Sequence, residues 1–199
     1  MRFILSTHKP INATYKDAET GVVQYKVRSP IKVHELISTI SRRIDSDIPR
    51  RNSGSSQHGD SDGGAATVDS GRFGHLAQIS WYMRAPSVMR IGGKDIDPAT
   101  FFQKPKVPWY AFPERIFTAQ DGKEYRWCGG AYHTKLKLND GSDTVVAEYK
   151  CKSVGLITKK RDPYIEIFPP FEHMVDEIMI TFIFVERLRK NRNDGTQQL

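Results

Sequence analysis

The stretch that decides the fold is FEHMVDEIMITFIFVERLRK, residues 171–190. It reads as one helix, and its middle has no polar face. Ile178, Met179, Ile180, Phe182, Ile183, Phe184 and Val185 point in every direction around the axis, interrupted only by Thr181. A surface helix keeps a polar side, whereas a helix apolar all round is buried all round or sits in lipid. The run is about eight residues, roughly 12 Å of helix against about 30 Å of bilayer core, so lipid is the weaker reading. Asp176 and Glu177 precede it, and Glu186, Arg187, Arg189 and Lys190 follow. Acids first and bases last suit the helix macrodipole. The rest of the chain is therefore expected to wrap this segment.

What precedes the helix is strand after strand. Arg2–Ser6, Val22–Arg28 and Leu36–Arg43 come first, with turn residues across Asn12–Gly21. The composition then breaks. Residues 49–74 are mostly Gly, Ser, Asp and Arg. Such a segment buries too little apolar area to offset its ordering entropy, and a disordered loop is expected there. Strand pattern resumes at His75–Met83 and Val88–Ile91. Residues 95–113, rich in Pro and aromatics including Trp109 and Tyr110, read as irregular chain over one end of the core. Three hairpins follow. Arg115–Ala119 and Glu124–Cys128 meet through Asp121-Gly122, a tight-turn signal. Thr134–Leu138 and Thr144–Tyr149 meet through Asn139-Asp140-Gly141, and Val154–Lys159 and Tyr164–Phe168 meet around Asp162-Pro163. A sandwich has no need of an all-apolar helix. A closed antiparallel β-barrel of about 12 strands would bury that helix on every side and remove the sheet edges. The expected organisation is one domain over residues 1–191, with a frayed tail at 192–199.

The order of these motifs resembles the tubby C-terminal-like barrel, the superfold of phospholipid scramblases and the plant LURP-one-related proteins. More closely, it resembles an uncharacterised domain family of basidiomycete fungi grouped with that superfold. The resemblance is carried by Asn12, Tyr15, Asp17, Gly21 and Tyr25, then by Thr39, Ile40 and Arg42. Leu76-Ala77 with Ile79 and Trp81, Asp121-Gly122 with Tyr125 and Trp127, and Val146-Ala147-Glu148-Tyr149 continue it. Asp176, Ile178, Thr181-Phe182-Ile183 and Glu186 mark the helix. The resemblance implies a barrel closed around a hydrophobic C-terminal helix. Tubby proteins bind phosphoinositides through basic strand residues, a part that Lys135 and Lys137 could play here. The acidic segment that scramblases link to calcium is replaced by FPPFEHMVDE, with fewer acids, and their cysteine-rich segment is missing.

The charge total points the same way. The 199 residues carry a formal charge of +7, and within residues 49–74 three arginines cancel three aspartates, so the excess belongs to the folded part. A basic fold favours anionic partners. Lys135 and Lys137, Lys150 and Lys152, and Lys159, Lys160 and Arg161 lie on or beside consecutive strands. If those strands are neighbours, alternate residues share one outer face and build a patch for anionic headgroups. The competing reading is a solvated exterior that uses lysine for solubility and edge protection. Tyr125-Arg126-Trp127 and Tyr132 have the look of a nucleic-acid platform, but Tyr125 and Trp127 share one strand face, which more often packs inward. Nucleic acid is therefore not expected.

No nucleophile elbow, P-loop or dinucleotide fingerprint occurs, and the six histidines match no zinc spacing. The expected function is a non-catalytic binding module without cofactor or metal, a peripheral binder of anionic phospholipid. The alternative is a protein-interaction or structural module with no lipid role. A monomer is expected. The N-terminal MRFILSTHK has too short an apolar run for a signal-peptide core, which points to the cytoplasm, a membrane surface or the nucleus. Cys128 and Cys151 are then reduced, buried packing residues. Ser53, two residues after Arg50-Arg51, is a candidate phosphorylation site, where about −1.5 to −2 charge would face a basic fold.

Overall fold

The computed structural model describes residues 1–30, 35–44, 71–82, 85–106, 112, 114–130, 133–153 and 161–193. Most of the expected loop, Ser53, Trp109, Tyr110, Tyr132, the strand expected at Val154–Lys159, Lys159, Lys160 and residues 194–199 lie outside these.

Twelve strands form one antiparallel sheet. They are β1 (Arg2–Leu5), β2 (Ala13–Asp17), β3 (Val23–Arg28), β4 (Glu35–Arg43), β5 (Phe73–Tyr82), β6 (Val88–Ile91), β7 (Lys94–Ile96), β8 (Arg115–Thr118), β9 (Glu124–Gly129), β10 (His133–Leu138), β11 (Val145–Lys150) and β12 (Tyr164–Ile167). A short helix α1 (Pro98–Phe101) follows β7, and α2 (Val175–Asn193) ends the described chain. The strand order is β7-β6-β5-β4-β3-β2-β1-β12-β11-β10-β9-β8. Two meanders, β2 to β7 and β8 to β12, are thus joined through β1, which pairs with β2 on one side and β12 on the other.

Residues 178–185 of α2 are all buried, as the all-apolar pattern requires. Elements of both meanders reach the helix. Trp81 of β5 stacks on Phe184, Trp127 of β9 and Tyr149 of β11 pack on Phe182, and Tyr25 of β3 bonds Asp176. A sheet that touches one helix from so many strands must curl around it. Two polar side chains of the helix interior, Thr181 and Glu186, are paired, whereas the buried Tyr149 hydroxyl has no hydrogen-bond partner among the described residues. Thr181 Oγ1 donates to the Glu177 carbonyl at 2.9 Å and accepts from Trp127 Nε1 at 3.1 Å. Glu186, 2% exposed, accepts from Thr134 Oγ1 at 2.6 Å and from Arg189 Nη2 at 2.8 Å.

Several expectations change. Among the described residues the ladder does not close: β7 and β8 are the two ends of the sheet. Residues 101–103, from the connection after β7, reach the seam between them. Gln103 makes a single bridge to Ile116 on the outer edge of β8, while Phe102 stacks on Phe184 and meets Phe117 edge-on. Residues 13–17 form β2 rather than a turn, because Ala13 and Tyr15 alternate into the core. Lys94–Ile96 and Pro98–Phe101 are a strand and a helix rather than irregular chain, the helix capped by the Asp97 carboxylate on the Ala99 amide. β5 begins at Phe73, inside the expected loop, where the Lys26 ammonium sits 3.7 Å from the Phe73 ring centroid. Residues 171–174 are a 3₁₀ turn before α2, and α2 runs on through Arg192 and Asn193. Both cysteines are free and half-buried rather than fully buried. Cys128 alternates with the inward Tyr125 and Trp127, so its parity is that of the outer face.

Candidate functional site

Two surfaces compete. The first is the basic face. β10 and β11 are neighbours, and Lys135, Lys137 and Lys150 share their outer side. Acids share it too. Glu148 stands between Lys135 and Lys150, at 3.3 and 3.1 Å, and Asp143 sits 2.8 Å from Lys137 and 3.9 Å from Arg126. Burial alone would raise the Glu148 carboxyl, but its bond to Lys150 and the Lys135 charge hold it below the ordinary range. Lys152 is exposed just past β11, and Arg161 pairs with Ser153 through the backbone, so these two stand off from the strand cluster. The Arg161 and Arg2 guanidinium groups lie 5.3 and 4.8 Å from the Tyr164 ring centroid. Tyr125 and Trp127 are fully buried, so neither offers a base-stacking platform.

The second surface was not visible in the sequence. Where the two ends of the sheet fail to meet, at the N-terminal end of α2, lies a cleft of about 700 Å³. Small-molecule sites are typically about 300–1,000 Å³. Its walls come from β5, β6, β7, α1 and the start of α2: Leu76, Ile91, Ile96, Phe101, Met174 and Ile180. Of the nine half-buried apolar residues packed on the core, four line this cleft, so incomplete burial is concentrated here.

The polar groups of the cleft include three acids. Asp121 lies in the β8–β9 turn, which Gly122 permits by taking φ +77°. Its carboxylate accepts from Tyr125 Oη at 2.7 Å and from the Lys123 amide at 3.0 Å. Burial opposes its ionisation, but these donors hold its carboxyl below the ordinary range. Asp176 accepts from Tyr25 Oη at 2.6 Å and from Arg42 at 2.5 Å, so both its oxygens are engaged. Glu177 differs. Oε2 accepts a 3.2 Å bond from the Gln120 amide, and Oε1 has no protein partner among the described residues. Burial pushes its carboxyl up; the Gln120 bond opposes this and the Asp121 charge adds to it. His75 and His173 are exposed at the rim, and His173 Nδ1 is 2.8 Å from the Pro170 carbonyl. No lysine or arginine among the described residues lines the cleft. Among the described residues, no group of three or more His, Cys, Asp and Glu could hold a metal ion, and no helix is long and apolar enough to cross a membrane.

The described residues define a twelve-stranded antiparallel β protein with a central C-terminal helix and a cleft at the seam of its sheet. The chain belongs to a family of unknown function, DUF6593, whose model matches residues 8–191. No curated protein and no solved structure matches it significantly.

Proposed function

We propose that this protein is a non-catalytic binding module and that the seam cleft is its binding site. One observation carries the reading: the sheet stops short of closure where apolar side chains are left half-covered around a volume fit for a small molecule. Twelve strands around an apolar helix support the resemblance to tubby-like barrels. We read the sheet as a barrel whose last joint is made by Phe101, Phe102 and Gln103 instead of a β7–β8 ladder. Among the described residues neither serine nor cysteine lines the cleft, the hydroxyl of Thr181 is engaged in the core and that of Thr118 has no histidine or carboxylate bonded to it, which favours binding over nucleophilic chemistry.

The test is a screen of small apolar compounds of mixed charge, followed through the methyl resonances of Ile91, Ile96, Met174 and Ile180. Shifts confined to these methyls support the cleft. A screen in which no compound moves them refutes it.

A second reading keeps the anionic membrane surface as partner. It is favoured by the paired arginines on Tyr164 with Lys152 nearby, in a chain of +7 charge. Because Glu148 and Asp143 already engage Lys135, Lys137 and Lys150, and Glu166 engages Arg2, the lipid contact in this reading falls on Lys152 and Arg161. Co-sedimentation with phosphatidylserine vesicles should then fall with salt and with Lys152→Glu plus Arg161→Glu. Binding that both leave unchanged ends this reading.

A further inference from the structure

The cleft is a local reversal of the protein's charge. Thirty lysines and arginines outnumber twenty-three acids along the chain, yet among the described residues the cleft lining has three carboxylates and no lysine or arginine. Two of the three are already provided with donors from the fold: Asp176 by Tyr25 and Arg42, Asp121 by Tyr125 and Lys123. Of the three, Glu177 alone keeps an oxygen without a protein partner among the described residues, and it shares the cleft lining with Leu76, Ile96, Phe101 and Met174. A half-buried carboxylate in apolar surroundings is poorly solvated. It gains most from a ligand that brings its own positive charge and hydrogen-bond donors. An anionic ligand would meet the Glu177 and Asp121 carboxylates in the same volume, Asp176 being already paired with Arg42.

We propose that the cleft takes a small organic amine with an apolar body, its ammonium group received by Glu177 with Asp121 adding field, its apolar part on the Leu76, Ile91, Ile96 and Phe101 wall. This rests on the cleft being the binding site and adds the chemical class of ligand. The +7 total does not oppose it. Exposed charges more than about 8–10 Å away are largely screened at physiological salt, so the carboxylates within the cleft set the local preference. An ammonium also answers the burial of Glu177 directly, since a charge-assisted bond stabilises the ionised carboxylate that the apolar wall disfavours.

The experiment uses the full chain and three probes of matched size: 2-phenylethylamine, 2-phenylethanol and 3-phenylpropanoate. Binding is read from the methyls of Ile91, Ile96 and Ile180, and the ionisation of Glu177 from its carboxyl carbon. The amine should bind about tenfold or more tighter than the alcohol, as expected for one charge-assisted hydrogen bond. The propanoate should be the weakest. Saturating amine should lower the Glu177 pKa. Glu177→Gln should bring the amine to the level of the alcohol and leave the alcohol unchanged, which separates lost charge from lost fold. Alcohol or propanoate binding at the cleft as tightly as the amine overturns the amine assignment and leaves the cleft standing. Amine binding that Glu177→Gln does not weaken removes Glu177 from the site. No methyl shift with any of the three overturns both the assignment and the cleft.

Discussion

Replacing Phe182 with alanine tests whether α2 is the centre of the structure or a peripheral appendage. The ring is fully buried and packs on two others, with centroid distances of 5.8 Å to Trp127 and 5.1 Å to Tyr149. Both partners are themselves fully buried and belong to strands of the second meander, so little can collapse into the space left. Phe→Ala at such sites costs about 3–5 kcal/mol. Domains of ordinary stability hold about 5–15 kcal/mol in all. The variant should therefore lose about a fifth or more of its stability, and at roughly 2–4 °C per kcal/mol its Tm should fall by about 6–20 °C. Urea unfolding followed by tryptophan fluorescence and far-UV circular dichroism gives the comparison. The midpoint should drop while the slope stays constant and the two probes coincide, because sheet and helix share one core. Phe182→Asp, which places an unpaired charge there, should leave no folded state. Lys190→Ala, at the half-buried end of the helix, should change the midpoint little. An unchanged midpoint for Phe182→Ala, or a sheet signal that melts apart from the helix signal, would refute the central placement of α2.

Other perturbations follow from the same contacts. Glu177 has a folded-state pKa above its unfolded value, so the native state binds the extra proton and stability falls as pH rises from the unfolded value through the folded one. Glu177→Gln should thus raise the urea midpoint at pH 7 and give no gain once the pH is below the ordinary carboxylate range; a gain that persists in acid would place its cause elsewhere. Thr134→Val removes the hydroxyl that donates to the buried Glu186 carboxylate and should cost about 1–3 kcal/mol, read from the same urea curves. Lys150→Ala should raise the Glu148 pKa toward or above the ordinary carboxylate value, measurable on its carboxyl carbon, because burial then acts with less opposition.

The helix was legible because its signal is local: eight successive positions admit only one environment. Most strands were legible from alternation. β2 was not, since Thr14, Lys16 and Asp17 around Ala13 and Tyr15 read as turn chemistry, and only pairing with both β1 and β3 makes the segment a strand. β7 offers three residues, of which Ile96 alone reaches the core, and no period exists in so short a run. The basic face was half legible. The neighbourhood of β10 and β11 was expected, but Glu148 has the same parity as Lys150 and comes to that face with it. The cleft had no local signature. Its residues come from β5, β6, β7, α1, the β8–β9 turn and α2, and its acids are spaced by more than fifty residues between Asp121 and Asp176. Gly122 and the Asp121-Gly122 turn were read as a hairpin signal, which they are, without any hint that the turn also brings a carboxylate to the end of the helix.

The position of β1 has a temporal consequence. Its residues 2–4 lie opposite residues 164–166, so the pairing that unites the two meanders spans nearly the whole chain. During synthesis the first meander can form before the second is complete, but β1 waits with one side open until β12 leaves the ribosome. The helix that fills the interior comes later still. Long-range pairing of this kind is slow, and an open strand edge over an empty interior invites other chains. The nascent protein thus passes through an interval in which its own unfinished edge is its most adhesive surface, and the last strand to arrive ends it.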